Sequence, residues 1–160
     1  MGDLGGKPMR AAKAELLSSL RDLDSRHQFY IVFYNQQPRL FDAGNSNGRL
    51  VFATDANKKD AIRFVENMTA DGATDHMKAL SIALRIRPDV IFLLTDGEEK
   101  DDPTREDLDR IDRLNGGSAQ IHVIQFAPQP RPNSSLVTLA KQNRGKHIFV
   151  DIAKYNEQQK

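Results

Sequence analysis

The sequence predicts an α/β fold, namely a three-layer, doubly wound and mostly parallel sheet flanked by helices. An unbroken apolar run, Val90–Leu94, shows no alternation of apolar and polar residues. A strand has this pattern when helices cover both of its faces, as in the middle of a parallel sheet. Segments typical of strands alternate with amphipathic segments typical of helices, which favours parallel pairing through right-handed crossovers. The 160 residues carry no repeat or linker, so we predict a single domain over residues 1–153 and a frayed tail over 154–160.

The first half of the chain begins with a predicted helix. Pro8 suits a first helical turn, and apolar residues then recur at spacings of three and four up to Leu23. His27–Tyr34 is rich in β-branched and aromatic residues and predicts a strand. Arg39–Asp42 is expected to return antiparallel as a short edge strand, and Ala43–Gly48 is a polar loop.

The second half alternates helices and strands around the apolar run. Thr104 and Asp107 form a capping-box pattern at the start of one helix, and Gly116 is placed to end it. The predicted helices run from Asn57 to about Met68, from Thr74 or Asp75 to just before Pro88, from Thr104 to Gly116, and from Ser134 or Ser135 to about Asn143, and the further strands are Ile121–Phe126 and His147–Val150.

Composition excludes several classes of protein. The net charge is +1 and the basic residues are scattered, so nothing indicates a nucleic-acid partner. The absence of cysteine excludes disulfides and thiolate metal sites and leaves the redox compartment open. No apolar run has the length of a membrane span and no signal-peptide pattern is present, which predicts that the chain as given is soluble. The sequence leaves open whether the parent protein is cytoplasmic or membrane-anchored.

The motifs of common enzyme classes are missing. The four histidines, His27, His76, His122 and His147, form no HExxH or similar pair, and each is expected at the surface or at a sheet end rather than as a metal ligand. No GxSxG nucleophile elbow and no dinucleotide-binding glycine fingerprint occurs. The sequence therefore predicts that the chain is not an enzyme.

Asp96 is the candidate functional residue of the central strand. Ligands of open α/β sheets bind beyond the carboxyl ends of the strands, where Asp96 follows Val90–Leu94. Asp before Gly is also ordinary turn chemistry, so this stretch alone leaves function and turn equally open. The acidic run that follows, Glu98, Glu99, Asp101 and Asp102, indicates a solvated loop.

Thr74 is expected to join Asp96. It stands at the start of a helix that runs antiparallel to the central strand, and such a helix begins near the carboxyl end of that strand. A hydroxyl and a carboxylate supply only oxygen ligands, which suit Mg²⁺ rather than zinc or copper.

At these residues the chain resembles a known family. The segments GATD, FLLTDGEE, KPMRAAKAEL and QFYIVFYN are similar to those of the von Willebrand factor type A (VWA) domain, particularly its bacterial members, and the resemblance extends from about Gly6 to Val150. It implies a Rossmann-like sheet with a metal-ion-dependent adhesion site (MIDAS) built from a DxSxS motif, a threonine and an aspartate. The last two correspond to Thr74 and Asp96, and Asp3, Asp75 and Glu98 are candidate accessory ligands.

The resemblance implies binding rather than catalysis. The ion would be Mg²⁺, or Mn²⁺ or Ca²⁺, and an acidic side chain of a partner protein would complete its shell. This chain, however, contains no DxSxS motif and lacks the family's first strand, so the metal site is expected to be weak or absent.

The lost strand would lie between Phe29–Tyr34 and Val90–Leu94. Each of these strands is then expected to present an unpaired edge, unless they pair directly, another chain fills the slot, or the protein begins upstream of Met1, which we favour. An open edge also permits self-association.

Two alternatives remain from other classes. One is an interaction scaffold that needs no metal. The other is a receiver-like phosphoacceptor domain, because PDVIFLLTD resembles the aspartate-bearing strand of response regulators, although Phe126 is followed by Ala-Pro where that class needs a lysine.

Overall fold

A computed structural model describes residues 6–34, 38–44, 46–69 and 75–154. The helices are α1 (Lys7–Asp22), α2 (Asp55–Glu66), α3 (His76–Arg85), α4 (Arg105–Asn115) and α5 (Ser135–Gln142), with a short 3-10 turn at Glu99–Asp101. The strands are β1 (Gln28–Phe29), β2 (Val32–Phe33), β3 (Arg39–Leu40), β4 (Val51–Phe52), β5 (Val90–Thr95), β6 (Gln120–Ala127) and β7 (His147–Asp151).

The predicted parallel sheet is confirmed. Strands β5, β6 and β7 pair in parallel in that order, with Val90 opposite Gln120 and Val123 opposite His147. Helix α4 connects β5 to β6 and α5 connects β6 to β7, so each parallel pair is joined through a helix, as such connections require. The doubly wound α/β class is therefore correct.

The first strands form two short antiparallel ladders. Strand β1 pairs with β4, and β2 pairs with β3, which confirms the predicted antiparallel return. The predicted strand His27–Tyr34 is divided between β1 and β2, and β4 was not predicted from the sequence. Neither ladder is paired with the parallel sheet among the described residues.

Local side-chain caps set the helix ends. The Thr104 hydroxyl accepts from the Asp107 N–H and the Asp107 carboxylate accepts from the Thr104 N–H, so the predicted capping box is present. Gly116 ends the same helix in the left-handed conformation, at φ 52°. The predicted cap Asn57 is wrong: Thr54 caps α2 by accepting from the Asn57 N–H, so the helix begins earlier.

Helices cover the two faces of the parallel sheet unequally. On one face, α3, α4 and α5 bury a cluster that includes Leu80, Ile111 and Leu139 against Ile121 and Val123 of β6. On the other face, α1 packs near the carboxyl ends of the strands. Its contact residues there are small, and the cluster comprises Ala11, Ala12, Ile124, Phe126 and Ile152.

The expectation that both faces of the central strand are covered is wrong. Val90 and Phe92 of β5 are 41% and 60% exposed, whereas Ile91 and Leu93 are buried. Among the described residues, α1 packs on that face through Ala12, near Phe126 at the carboxyl end of β6. A strand made only of apolar residues, such as Val90–Leu94, can therefore have one face that helices cover only in part.

None of the helices within the described ranges is long and apolar enough to cross a membrane. Of the tail predicted at residues 154–160, only Lys154 lies within those ranges.

Candidate functional site

Asp96 lies directly after β5, at the carboxyl edge of the parallel sheet. It faces an open cleft of about 330 Å³ between the loop after β5 and the loop after β6. This is the position at which open α/β sheets bind their ligands. The cleft is lined by Pro8, Asp96, Gly97, Glu98, Glu99, Phe126, Ala127, Pro128, Gln129, Pro130 and Arg131.

The turn after Asp96 depends on a glycine. Gly97 has φ +64°, the left-handed region that side-chain-bearing residues rarely adopt. A Cβ at this position would also lie 2.7 Å from Cδ of Gln125, a fully buried residue of β6. The Gly97 N–H donates to the Thr95 hydroxyl at 3.0 Å. The backbone that presents Asp96 is thus held against the neighbouring strand.

Arg131 links the two loops that line the cleft. Its guanidinium donates to both carboxylate oxygens of Asp102, at 3.0 and 2.8 Å, and also to the carbonyl of Gly97. The Ser134 hydroxyl, at the cap of α5, donates to the same carboxylate at 2.9 Å. Asp102 was expected in a solvated loop, and this expectation is wrong because the carboxylate forms a bidentate ion pair that is mostly sheltered from water.

Tyr34 and His76 form a buried pair near the end of β5, on the face that α3 covers. The Tyr34 hydroxyl donates to the Leu94 carbonyl at 3.0 Å and lies 3.2 Å from Nδ1 of His76. Since the single hydroxyl proton goes to the carbonyl, Nδ1 of His76 must carry the proton donated to the Tyr34 oxygen. Burial lowers the pKa of His76 and raises that of Tyr34. Both side chains are therefore neutral near pH 7.

His76 is 3% exposed, which corrects the prediction that every histidine lies at the surface or at a sheet end. Nε2 of His76 has no hydrogen-bond partner within the described part of the chain. The sequence did contain a weak signal, because His76 falls on the same apolar face of α3 as Leu80 and Leu84.

The predicted site residues have different outcomes. Thr74 and Asp3 lie outside the described residues, so their predicted roles remain predictions. Asp75 caps α3, because its carboxylate accepts from the Lys78 N–H at 2.9 Å. Its predicted role as an accessory metal ligand remains a prediction. Glu98 lines the cleft beside Asp96 and forms an ion pair with Lys100.

The oxygen donors of the cleft suit a hard cation in type but are few in number. Among the residues that the structure describes, no group of three or more histidine, aspartate or glutamate side chains could hold a metal ion. Mg²⁺ is commonly bound by one or two carboxylates together with waters and ligand oxygens, so Asp96 and Glu98 are compatible with a weak site. Arg131 and the proline-rich loop before it line the same cleft. The sequence analysis missed them because it searched for acidic ligands.

Comparison with solved structures shows which fold this is. A von Willebrand factor type A protein from Catenulispora acidiphila matches with a TM-score of 0.80 and 24% sequence identity, over 94% of this chain and 36% of that one. The chain therefore has a VWA-like fold and spans about a third of the length of this neighbour. An uncharacterized membrane spanning protein from Vibrio fischeri matches with a TM-score of only 0.36 and 14% identity, over 89% of this chain and 77% of that one. No family model and no curated protein matches the sequence.

Proposed function

We propose that this chain is a VWA-type protein-binding module that contacts its partner through the cleft at Asp96 and carries a degenerate divalent-metal site. Its role is binding rather than catalysis. The observation that carries the proposal is the position of Asp96: the first residue beyond β5, on an open cleft, in a VWA-like fold.

The shape of the cleft supports a polypeptide ligand. Two walls of different chemistry face each other across it, an acidic one at Asp96 and Glu98 and an apolar one at Pro128 and Pro130. Arg131 holds the two walls together through Gly97 and Asp102, so the cleft is formed before a ligand arrives. A preformed cleft loses little conformational entropy on binding.

The metal site that we propose has few protein ligands. Asp96, with Thr74 as expected from the resemblance, would hold Mg²⁺ or Mn²⁺, and the ion would attract an acidic side chain of the partner. With so few protein ligands we expect no saturable Mg²⁺ or Mn²⁺ binding tighter than about 1 mM by isothermal titration. Tight binding that Asp96→Ala abolishes would show that the site is complete.

A selection experiment tests the binding function. Peptides selected from a random display library against the immobilised chain should include cleft binders whose affinity falls at least about tenfold in Asp96→Ala, equivalent to about 1.4 kcal/mol. Asp109→Ala is the matched control, because Asp109 is an exposed carboxylate on α4 away from the cleft. If every selected peptide binds Asp96→Ala as tightly as the unmodified chain, the cleft is not the binding surface.

A metal-independent interaction scaffold is the second candidate. It is favoured by the lack of any three-ligand acidic or histidine group within the described ranges. The two candidates differ in one measurement: EDTA weakens the cleft binders if a metal takes part, and leaves their affinity unchanged if the scaffold acts alone.

A further inference from the structure

The chain contains two Asn-Gly pairs, Asn47-Gly48 and Asn115-Gly116. At such a pair the backbone nitrogen of the glycine can attack Cγ of the asparagine, because glycine has no Cβ to obstruct the approach. The N–Cγ bond forms, the Cγ–Nδ2 bond breaks, and the amide nitrogen leaves as ammonia with the proton of the glycine N–H. Water then opens the resulting cyclic imide to aspartate or isoaspartate, so water is the only co-reactant.

The pair at Asn115 is held in place on both sides of the reaction. The attacking group, the Gly116 N–H, donates to the Asp112 carbonyl at 2.9 Å. The Asn115 amide donates to the Ala119 carbonyl at 2.8 Å and to the side-chain oxygen of Asn143 at 2.7 Å, and its own oxygen accepts from the Ala119 N–H at 2.8 Å. The residue is only 3% exposed to water. These buried hydrogen bonds must break before Asn115 can react.

The pair at Asn47 lies in an exposed turn. The Arg49 N–H donates to the Ser46 carbonyl at 3.1 Å, which closes a four-residue turn around Asn47 and Gly48. Both central residues have positive φ, 51° and 73°, as in type I′ turns. The hydrogen bond of such a turn uses the N–H of its fourth residue and not that of Gly48. Within the described part of the chain, neither the Asn47 side chain nor the Gly48 N–H has a hydrogen-bond partner.

This turn lies outside the ladders of the antiparallel strands. Strand β3 pairs with β2 and β4 pairs with β1, and the described residues of the loop between β3 and β4 take part in neither ladder. Opening a loop locally costs much less free energy than unfolding the whole chain. The turn at Asn47 can therefore rearrange, and its product can persist, while both ladders remain paired.

We propose that Asn47 is a site of spontaneous deamidation and that the product is a folded form of the chain with one additional negative charge. The formal net charge falls from +1 to zero, because a neutral amide becomes a carboxylate. The isoaspartyl product also routes the backbone through Cβ and so lengthens the turn. The reaction is independent of the cleft at Asp96 and of any metal.

Peptide mass spectrometry compares the two pairs in one sample. The purified chain is incubated at mildly alkaline pH and then digested at acidic pH, which suppresses further reaction. The peptide with Asn47 should give an aspartyl and an isoaspartyl product, at least about tenfold faster than the peptide with Asn115, whose reaction requires buried hydrogen bonds to open. A smaller ratio, or no conversion of Asn47 over several weeks, would overturn the proposal.

Incubation in urea separates the effect of the fold from that of the sequence. In the unfolded chain both Asn-Gly pairs are free, so Asn115 should react within about threefold of the rate of Asn47. If Asn115 remains unreactive after unfolding, its neighbours in the sequence protect it and the structural argument fails.

Variants assign the charged product. Ion-exchange chromatography of the intact chain should show an acidic species that grows with time and co-elutes with Asn47→Asp. The species should be absent from Asn47→Gln, because attack on the longer side chain has to close a larger ring. The substitutions are at an exposed position, so the fold is expected to survive, and circular dichroism checks this. Equal formation of the acidic species in Asn47→Gln, or an unfolded spectrum of the purified acidic species, would overturn the proposal.

Discussion

Arg131 donates two hydrogen bonds to the Asp102 carboxylate, at 3.0 and 2.8 Å, and its guanidinium also donates to the Gly97 carbonyl. The two side chains are 27% and 16% exposed. This bidentate pair ties the loop that carries Asp96 to the start of α5. Planar, bidentate pairing of this kind is specific to arginine.

Replacing Arg131 with glutamine should therefore destabilise the protein by about 1–3 kcal/mol, because in a sheltered site the Gly97 carbonyl loses its Arg131 donor and the Asp102 carboxylate loses its ion pair while keeping the bond from the Ser134 hydroxyl. Urea unfolding measures the change. Arg63→Gln is the control, since Arg63 pairs with Asp60 on the exposed surface of α2 and should cost less than about 1 kcal/mol. Equal losses in the two variants would contradict the structural role of Arg131.

Gly97 should tolerate no side chain. Gly97→Ala combines a left-handed backbone with overlap on buried Gln125, and we expect a loss of about 2–4 kcal/mol in the free energy of unfolding. Gly116→Ala shares the positive φ but has nothing within 4 Å, so it should cost only about 1–2 kcal/mol. Thermal unfolding of both variants measures the difference, and an equal cost would mean that the contact with Gln125 is unimportant.

The Tyr34 hydroxyl should stabilise the end of β5. Tyr34→Phe leaves the Leu94 carbonyl and the Nδ1 proton of His76 without partners in a buried site, at a cost of about 1–3 kcal/mol. Denaturant titration is the measurement. An unchanged unfolding midpoint would show that these groups find other partners.

His76 should make stability depend on pH. Burial lowers its pKa in the folded protein, although the carboxylates of Asp75, Asp101 and Asp102 act in the opposite direction. Between that lowered pKa and about 6.5 the unfolded chain binds more protons than the folded one, so stability falls as the pH drops through this window and then levels off. The slope is at most about 1.4 kcal/mol per pH unit.

The matched variant for this pH dependence is His76→Phe, which removes the titrating group and keeps an aromatic side chain in the core. Unfolding free energies of the two proteins at a series of pH values isolate the contribution of His76, because the other three histidines are common to both. Parallel curves from pH 5 to 8 would refute this assignment.

The sequence predicted the second half of the fold well. The spacing of apolar residues, the Thr104–Asp107 capping box and Gly116 are local signals, and the local geometry obeys them. The parallel pairing of β5, β6 and β7 was predicted from the helices between the strands. Strand β4 was missed because two residues after a polar loop carry no periodicity, and its pairing with β1 is a tertiary contact.

The residues around the candidate cleft were foreseen from the sequence only in part. Asp96 was identified because it follows an apolar run, a purely sequential signal. The pairing of Arg131 with Asp102 joins residues 29 positions apart, and nothing local distinguishes either from a surface charge. The burial of His76 likewise depends on Tyr34, 42 positions away. Polar contacts between residues so far apart in the sequence become evident only in the folded structure.

A chemical-shift map tests whether partners bind at the carboxyl edge of the parallel sheet. Amide spectra of the labelled chain would be recorded with and without the tightest peptide selected against it. We expect the largest shifts at the amides of Asp96–Glu99 and at those of Ala127, Gln129 and Arg131, in the two walls of the cleft, because proline has no amide N–H. Shifts confined to the exposed surfaces of α2 and α4, with these two segments unmoved, would contradict it.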